Sequence, residues 1–374
     1  MKKLILAIAV VALIASPALA VDWNFYGSAR VNTWYTSTDF GDTENVGGDD
    51  DDTDILWGSQ GQQNSRFGAR VKAENVSGRV EIQMRANNGG DPSNVITTES
   101  RLLYGEWNFG AGKLLVGKAY TPVSQFISGQ AFDEDIGLLS SGAAYGNRIS
   151  GLQLSFGGFT FAVLEPNNDG YFAGDDVDTM LPKLEAKYGM SFDMFSFNVM
   201  GGYQHYEVQE NPGGFDDDVD IDSWIVGGDV AVNLGPAYVK GAISYGQNIS
   251  NAAWDVTGLY TIGAVAVPNA LVAPDDVDDV DTLQFALVGG FKFTDQVSFE
   301  AGFGWREDDF DDAGGDEDDF WQVYGQAVIS LAPGVWIIPE IGYQDFADAP
   351  VDIGPDGADQ GSKLYAGAKW QIDF

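Results

Sequence analysis

Cysteine is absent from the chain, so an exported, loop-rich scaffold held by disulfides is excluded, and so is thiol chemistry. Basic residues are scarce: 19 Lys plus Arg stand against 56 Asp plus Glu, a formal net charge of −37. A chain that acidic lacks the basic patches that phosphate binding needs, which excludes nucleic acid as a partner. His205 is the single histidine. A hydrolase would need a base with partners to orient it, and a lone histidine beside Tyr206 at a strand end reads as surface. With no glycine-rich phosphate loop either, the chain is expected not to be an enzyme. Long apolar runs are missing too: beyond residue 20 nothing reaches the ~18 consecutive apolar residues of a membrane helix. On hydropathy alone this would be a soluble exported protein.

What is present points elsewhere. Lys2 and Lys3 precede an apolar run, Leu4 to Ile14, and then Ser16-Pro-Ala-Leu-Ala20, the pattern of a cleaved secretory signal peptide. The expected division is 1–20 signal and 21–374 one large all-β domain. Processing at Val21 moves the formal charge from −37 to −39, because Lys2 and Lys3 leave and no acid does.

From Trp23 onward the chain alternates apolar and polar residues. Phe25, Gly27, Ala29, Val31 and Tyr35 interleave with Asn24, Tyr26, Ser28, Arg30 and Asn32, which is the period-two pattern of a barrel strand with one face to lipid and the other to water. The pattern recurs along the chain. Tight turns such as Asn75 to Gly78, Gly110 to Gly112, Gly157-Gly158 and Ala332 to Gly334 alternate with long, mostly acidic loops such as Thr38 to Asp54, Pro166 to Met180, Asn248 to Asp281 and Glu307 to Asp319. Counted this way there are about sixteen strands with both chain ends on the short-turn side, which predicts a closed transmembrane antiparallel β-barrel. A soluble β-sandwich would not need loops so unequal on its two ends. Terminal and near-turn aromatics, among them Trp23, Trp107, Phe195, Trp224, Phe293, Trp305, Trp370 and Phe374, read as interfacial girdles rather than a sugar-stacking face.

The strand phase also places charge. Arg30, Arg66, Arg70, Lys72, Arg79, Arg85, Lys183, Lys187, Lys240, Lys292, Arg306, Lys363 and Lys369 all share the phase opposite the apolar residues. A cation on the lipid face at midplane would cost ~2–4 kcal/mol, so these line the lumen. Arg101, Lys113, Lys118 and Arg148 do not phase cleanly, and Lys118 is assigned inward at the root of the next segment. That segment, Gly117 to Asn147, neither alternates nor stops at a short turn, and it carries Asp133-Glu134-Asp135. Folded inward after the fifth strand, it would set three acids across a water-filled constriction from the arginines of the early strands, a field that filters ions. Left outside, the same acids are an ordinary solvated loop tip.

Several stretches resemble the trimeric general porins of Gram-negative outer membranes. Ser65-Arg-Phe-Gly68 with the Asn-Val-Ser-Gly turn is similar to that family's second strand. Arg101-Leu-Leu-Tyr-Gly-Glu-Trp, Phe109-Gly and Leu115-Val-Gly-Lys resemble its fourth and fifth strands, and Lys118-Ala-Tyr-Thr-Pro122 the lead into its constriction loop. Asn147-Arg-Ile-Ser150 resembles the strand that follows. The ending Trp370-Gln-Ile-Asp-Phe374 is similar to the family's C-terminal strand, whose terminal aromatic the barrel assembly machinery reads. The resemblance implies a sixteen-stranded barrel, a homotrimer and passive diffusion of small hydrophilic solutes. By position it matches Arg66, Arg70 and Arg85 to the wall cluster and Asp133, Glu134 and Asp135 to the loop acids. The aspartate-rich outer loops and the long Asn248 to Asp281 loop depart from the family pattern.

The expected protein is therefore an outer-membrane diffusion channel for ions and small hydrophilic solutes, with no cofactor. The acidic loops favour cations and the basic wall anions. The outer charge is larger but screened over ~8–10 Å, so a modest cation preference is expected. Asp49–Asp54, Asp216–Asp222, Asp275–Asp281 and Asp308–Asp319 offer hard oxygen ligands for weakly held Ca²⁺ or Mg²⁺, and so for bridging to anionic lipopolysaccharide. None has calcium-loop spacing, and solvated loops are the simpler reading. The alternatives are a substrate-specific channel, or a structural or adhesive barrel without conductance.

Overall fold

A computed structural model describes residues 21–39, 41, 52–58, 64–85, 97–167, 177–209, 218–255, 271–273, 276–310, 317–346 and 361–374. The proposed signal peptide lies outside the described residues, as do parts of the aspartate runs, Asp49 to Asp51, Asp216, Asp217, Asp275, Asp311, Asp312 and Asp316. No helix among the described residues is long and apolar enough to cross a membrane; the chain is built of strands.

Strand β1 (Asp22–Asp39) is flanked by β2 (Asp52–Gly58) along its second half and by β3 (Arg66–Lys72) along its first, so β2 and β3 are two pieces of one stave. Then come β4 (Val76–Arg85), β5 (Thr97–Asn108), β6 (Lys113–Tyr120), β7 (Arg148–Phe156) and β8 (Phe159–Leu164), each antiparallel to the last. The short β9 (Val177–Asp178) and β10 (Lys183–Ser191) again share one stave, both pairing with β11 (Phe195–Val208). After β12 (Val219–Leu234) and β13 (Ala237–Gln247), a small separate hairpin of β14 (Leu271–Ala273) and β15 (Asp276–Asp278) precedes β16 (Val280–Lys292). The wall finishes with β17 (Val297–Phe310), β18 (Glu317–Ala332), β19 (Val335–Asp345) and β20 (Ser362–Asp373).

Strand β20 pairs with β1 from Ser28↔Asp373 to Asp39↔Ser362, which closes the sheet. Joined as above, the strands form a closed antiparallel barrel of sixteen staves. Closure leaves no edge, so each strand's backbone is satisfied within the wall. Strand β2 falls partly in the stretch assigned to a loop from its acid content. It pairs with β1 at the long-loop rim, and its Thr53, Asp54 and Ile55 are exposed; a rim strand need not show the apolar alternation of the belt.

The two faces are inverted relative to a water-soluble protein. Leu103, Ile243, Leu287 and Ile341 are each more than half exposed, whereas Asn32, Gln204 and Gln322 are fully buried. Exposed apolar residues run around the outside, with Trp23, Trp107, Phe195, Phe293, Trp370 and Phe374 all on the exposed surface. An apolar outer surface on this scale is what hydrocarbon requires. At the seam, the amide of Gly27 donates to the Phe374 carbonyl at 2.7 Å and the amide of Phe374 to the Gly27 carbonyl at 3.0 Å. The terminal residue is thus tied to the first strand.

Candidate functional site

Strand β6, which leads into the segment before β7, carries a glycine that is hard to replace: Gly117 has φ +125°, where a side chain would be strained, and a Cβ there would collide with the Leu103 carbonyl oxygen. From Thr121 the backbone runs over side chains of distant strands. The amide of Val123 donates to Glu185 (2.9 Å), the amide of Gly129 to Glu300 (2.7 Å), and those of Ala131 and Phe132 to Glu340 (2.6 and 3.1 Å). Gln130 donates to Gln322 (2.9 Å) and to the Tyr365 hydroxyl (3.0 Å). Buried amides need such partners, and carboxylates on β10, β17 and β19 supply them.

Apolar contacts follow the same path. Ile127, Phe132, Leu138 and Leu139 bury against Trp34, Val288, Ile338 and Tyr365, which stand on the lumen phase of their strands. Phe132 stacks on Tyr365 with ring centres 3.7 Å apart and meets the edge of Trp34 at 5.4 Å. Further on, the backbone lies directly on bare strand: a Cβ on Gly304 would collide with the Ser141 carbonyl oxygen.

The acids sit on a turn, Phe132–Asp135, in which Asp133, Glu134 and Asp135 have φ of 50°, 63° and 62°. Left-handed backbone costs ~1–2 kcal/mol per residue outside glycine, so the surrounding contacts must hold it. Asp135 is held by two cations, Arg30 and Lys369, each at 2.5 Å. Asn64 donates to the Glu134 carbonyl. Burial pushes the Asp133 carboxyl up from its ordinary value, against the pull of Lys363.

The wall cations divide. Arg66 (3.6 Å), Arg79 (2.7 Å) and Arg101 (2.9 Å) converge on Glu81, whose second oxygen also accepts from the Tyr26 hydroxyl at 2.7 Å. Arg70 lies over the Tyr26 ring at 5.0 Å, and Lys72 is exposed at the end of β3. The side chain of Arg85 lies outside the described residues. Of the cations assigned to the constriction, the structure therefore brings Arg30 to the acids, while Arg66 and Arg70 have partners on the wall itself.

Lys118 takes a different place from the inward one assigned to it. It stands across from Leu103 and Ser150, both exposed, on the outward phase. Three consecutive apolar residues, Leu114 to Val116, hide that phase in the sequence. Glu81 and Lys369 were legible as lumen-phase residues but not as partners, and Arg101 turns inward because the β4–β5 register shifts between Glu81 and Ile82.

A second segment joins the first. Asn248 to Asp255, the start of the long loop after β13, packs Ile249, Ala252 and Trp254 against Val123, Ala144, Met200 and Ile225. The amide of Tyr145 donates to the Trp254 carbonyl (3.1 Å), and Asn147 donates to the carbonyls of Ala253 (3.0 Å) and Asp255 (3.1 Å). The Trp254 indole donates to Glu185 at 2.9 Å with Lys183 over its ring at 4.8 Å. Arg306 pairs with Asp255 at 3.2 Å and with Asp308 at 2.8 Å.

Residues 7–349 match the model of the Gram-negative porin family. The chain belongs to that family. Solved structures agree in fold at low identity. The outer membrane channel DcaP of Acinetobacter baumannii is 16% identical with a TM-score of 0.70, over 96% of this chain and 99% of that one. The anion-selective porin from Comamonas acidovorans is 12% identical, TM-score 0.59, over 95% and 100%. Salmonella typhi OmpF, in complex with daunomycin, is 14% identical, TM-score 0.59, over 94% and 97%. No curated protein matches the chain. This porin is thus an outer-membrane barrel, and family and fold together make it a diffusion channel. Among the described residues no group of three or more His, Asp or Glu side chains could hold a metal ion, and His205 stands at the rim beside Asp222, 3.2 Å away.

Proposed function

We propose that this porin is a passive, non-enzymatic channel for ions and small hydrophilic solutes, narrowed by residues 121–147 and modestly selective for cations. One observation carries the reading. The acid turn is fixed at Asp135 between Arg30 of β1 and Lys369 of β20, beside the Glu81-centred cluster of Arg66, Arg79 and Arg101. Charges of both signs held at close quarters across water make a selectivity filter. Much of the acid excess lies in the long loops, where it concentrates cations at the mouth and is screened by salt.

The native assembly under this reading is a homotrimer in lipid and lipopolysaccharide, with Trp370 and Phe374 as the C-terminal signal for the barrel assembly machinery. Both side chains are exposed on the outer surface, where such a receptor would reach them. The experiment is a planar bilayer recording under a KCl gradient. A stable conductance with a reversal potential on the cation side, shrinking as salt rises, is expected. Absence of conductance would favour a structural barrel, and clear anion selectivity would overturn the sign.

A further inference from the structure

Within the segment 121–147, Phe126 behaves unlike its neighbours. Val123 and Ile127 are buried, with 0% and 3% exposure, but Phe126 is 54% exposed. Its backbone is not loose. Gln125 donates to the Gly228 carbonyl at 2.8 Å and accepts from the Ala144 amide at 2.8 Å, which fixes the chain immediately before the ring. Phe126 meets Tyr120 edge-on at 5.0 Å and Tyr145 at 6.2 Å, so the aromatic group is assembled while one face stays open.

That face opens into a cavity of about 370 Å³ whose lining includes Tyr120, Phe126, Asp133, Tyr145 and Arg148, a size in the range of small-molecule sites. Arg148 lies over the Tyr120 ring at 5.4 Å and reaches its hydroxyl at 3.5 Å. Among the described residues no carboxylate is paired with this guanidinium. Arg101, by contrast, is spent on Glu81, Gln83 and Asn64. An open phenyl face held beside a guanidinium that has no carboxylate partner among the described residues is an arrangement that packing of the segment does not itself require.

We propose that this cavity is a binding site for small aryl carboxylates, the ring lying on Phe126 and the carboxylate taken by Arg148. Rings offset-stack on aromatic faces, and a guanidinium matches a carboxylate with two parallel hydrogen bonds. Asp133, Glu134 and Asp135 line the same cavity; of these, Asp135 is answered by both Arg30 and Lys369, and burial holds Asp133 toward its neutral form. The proposal rests on the reading of residues 121–147 as the lining of an open channel.

The test is ion current through the full-length mature protein in planar bilayers, with benzoate, acetate and benzyl alcohol added in turn. Benzoate carries ring and charge, acetate the charge alone, benzyl alcohol the ring alone. Benzoate is expected to block saturably at concentrations about tenfold below either of the others. Phe126→Ala and Arg148→Gln should each raise the half-blocking concentration by roughly three- to tenfold, and Arg148→Lys should restore part of the loss. Phe126→Leu, which keeps apolar bulk against Tyr120 and Tyr145, serves if the alanine variant does not assemble. Current with no preference for benzoate, or block unchanged in these variants, overturns the site while leaving the channel reading intact. A protein that carries no current at all overturns the channel reading and the site with it.

Discussion

The carboxylate of Asp255 and the guanidinium of Arg306 are paired at 3.2 Å with side chains only 2% and 3% exposed. Asp255 belongs to the segment that follows β13, and Arg306 to β17. The same guanidinium also donates to the Ser140 carbonyl at 2.9 Å. One buried charge therefore fastens both segments to the wall, and the second segment in turn covers the end of the first through Tyr145 and Asn147.

Arg306→Gln should accordingly be costly. It leaves Asp255 buried without its cation and also strips Asp308; breaking a buried pair from one side costs about 3–5 kcal/mol. Burial already pushes the Asp255 carboxyl up, so Asp255→Asn should cost less than Arg306→Gln. Urea unfolding in detergent micelles measures both. Equal and small losses would contradict a buried, paired charge.

Asp133 gives a pH signature. Its carboxyl is raised by burial, so between the ordinary aspartate range and the raised value the folded chain keeps a proton that the unfolded chain has lost. The stability it contributes is present at low pH and falls as pH rises through that window. Asp133→Asn should flatten the dependence. In bilayers, acidification should discharge Asp133 before exposed loop aspartates, so wild type and Asp133→Asn converge in reversal potential at milder acidity than ordinary carboxylates require. A difference that persists into the ordinary carboxylate range would show Asp133 to be solvated.

Gly304 tests the seating of the loop. Gly142 has φ +149°, and a Cβ on it would fall 2.5 Å from the Phe285 carbonyl oxygen and 2.8 Å from Gly304 Cα. Gly304→Val should push residues 138–143 off the wall toward the lumen while the outer face stays intact. Single-channel conductance should fall and flicker, with heat-modifiable gel mobility retained. Unchanged conductance would mean that this contact does not set the opening.

Much of the barrel was legible because lipid imposes period two on every belt strand: Val31, Phe67, Leu103 and Leu287 face out as the alternation requires. The same phase placed Arg30, Arg79 and Lys369 in the lumen. Partners were not legible, since Asp135 meets Lys369 only through closure of β20 on β1, across 234 residues. Arg101 and Lys118 were obscured by a register shift and by an unbroken apolar run. Asn248 to Asp255 has no periodicity, and its burial depends on wall strands and on a segment about a hundred residues away.

The most direct test of the central claim is the reversal potential of the porin carrying Asp133→Asn, Glu134→Gln and Asp135→Asn together, compared with wild type in the same KCl gradient. Neutralising the turn removes three acids and also frees Arg30 and Lys369 from Asp135. Selectivity is expected to move from modest cation preference to anion preference, with the barrel still folded by heat-modifiable mobility. A folded triple variant whose reversal potential matches wild type would show that residues 121–147 do not form the filter.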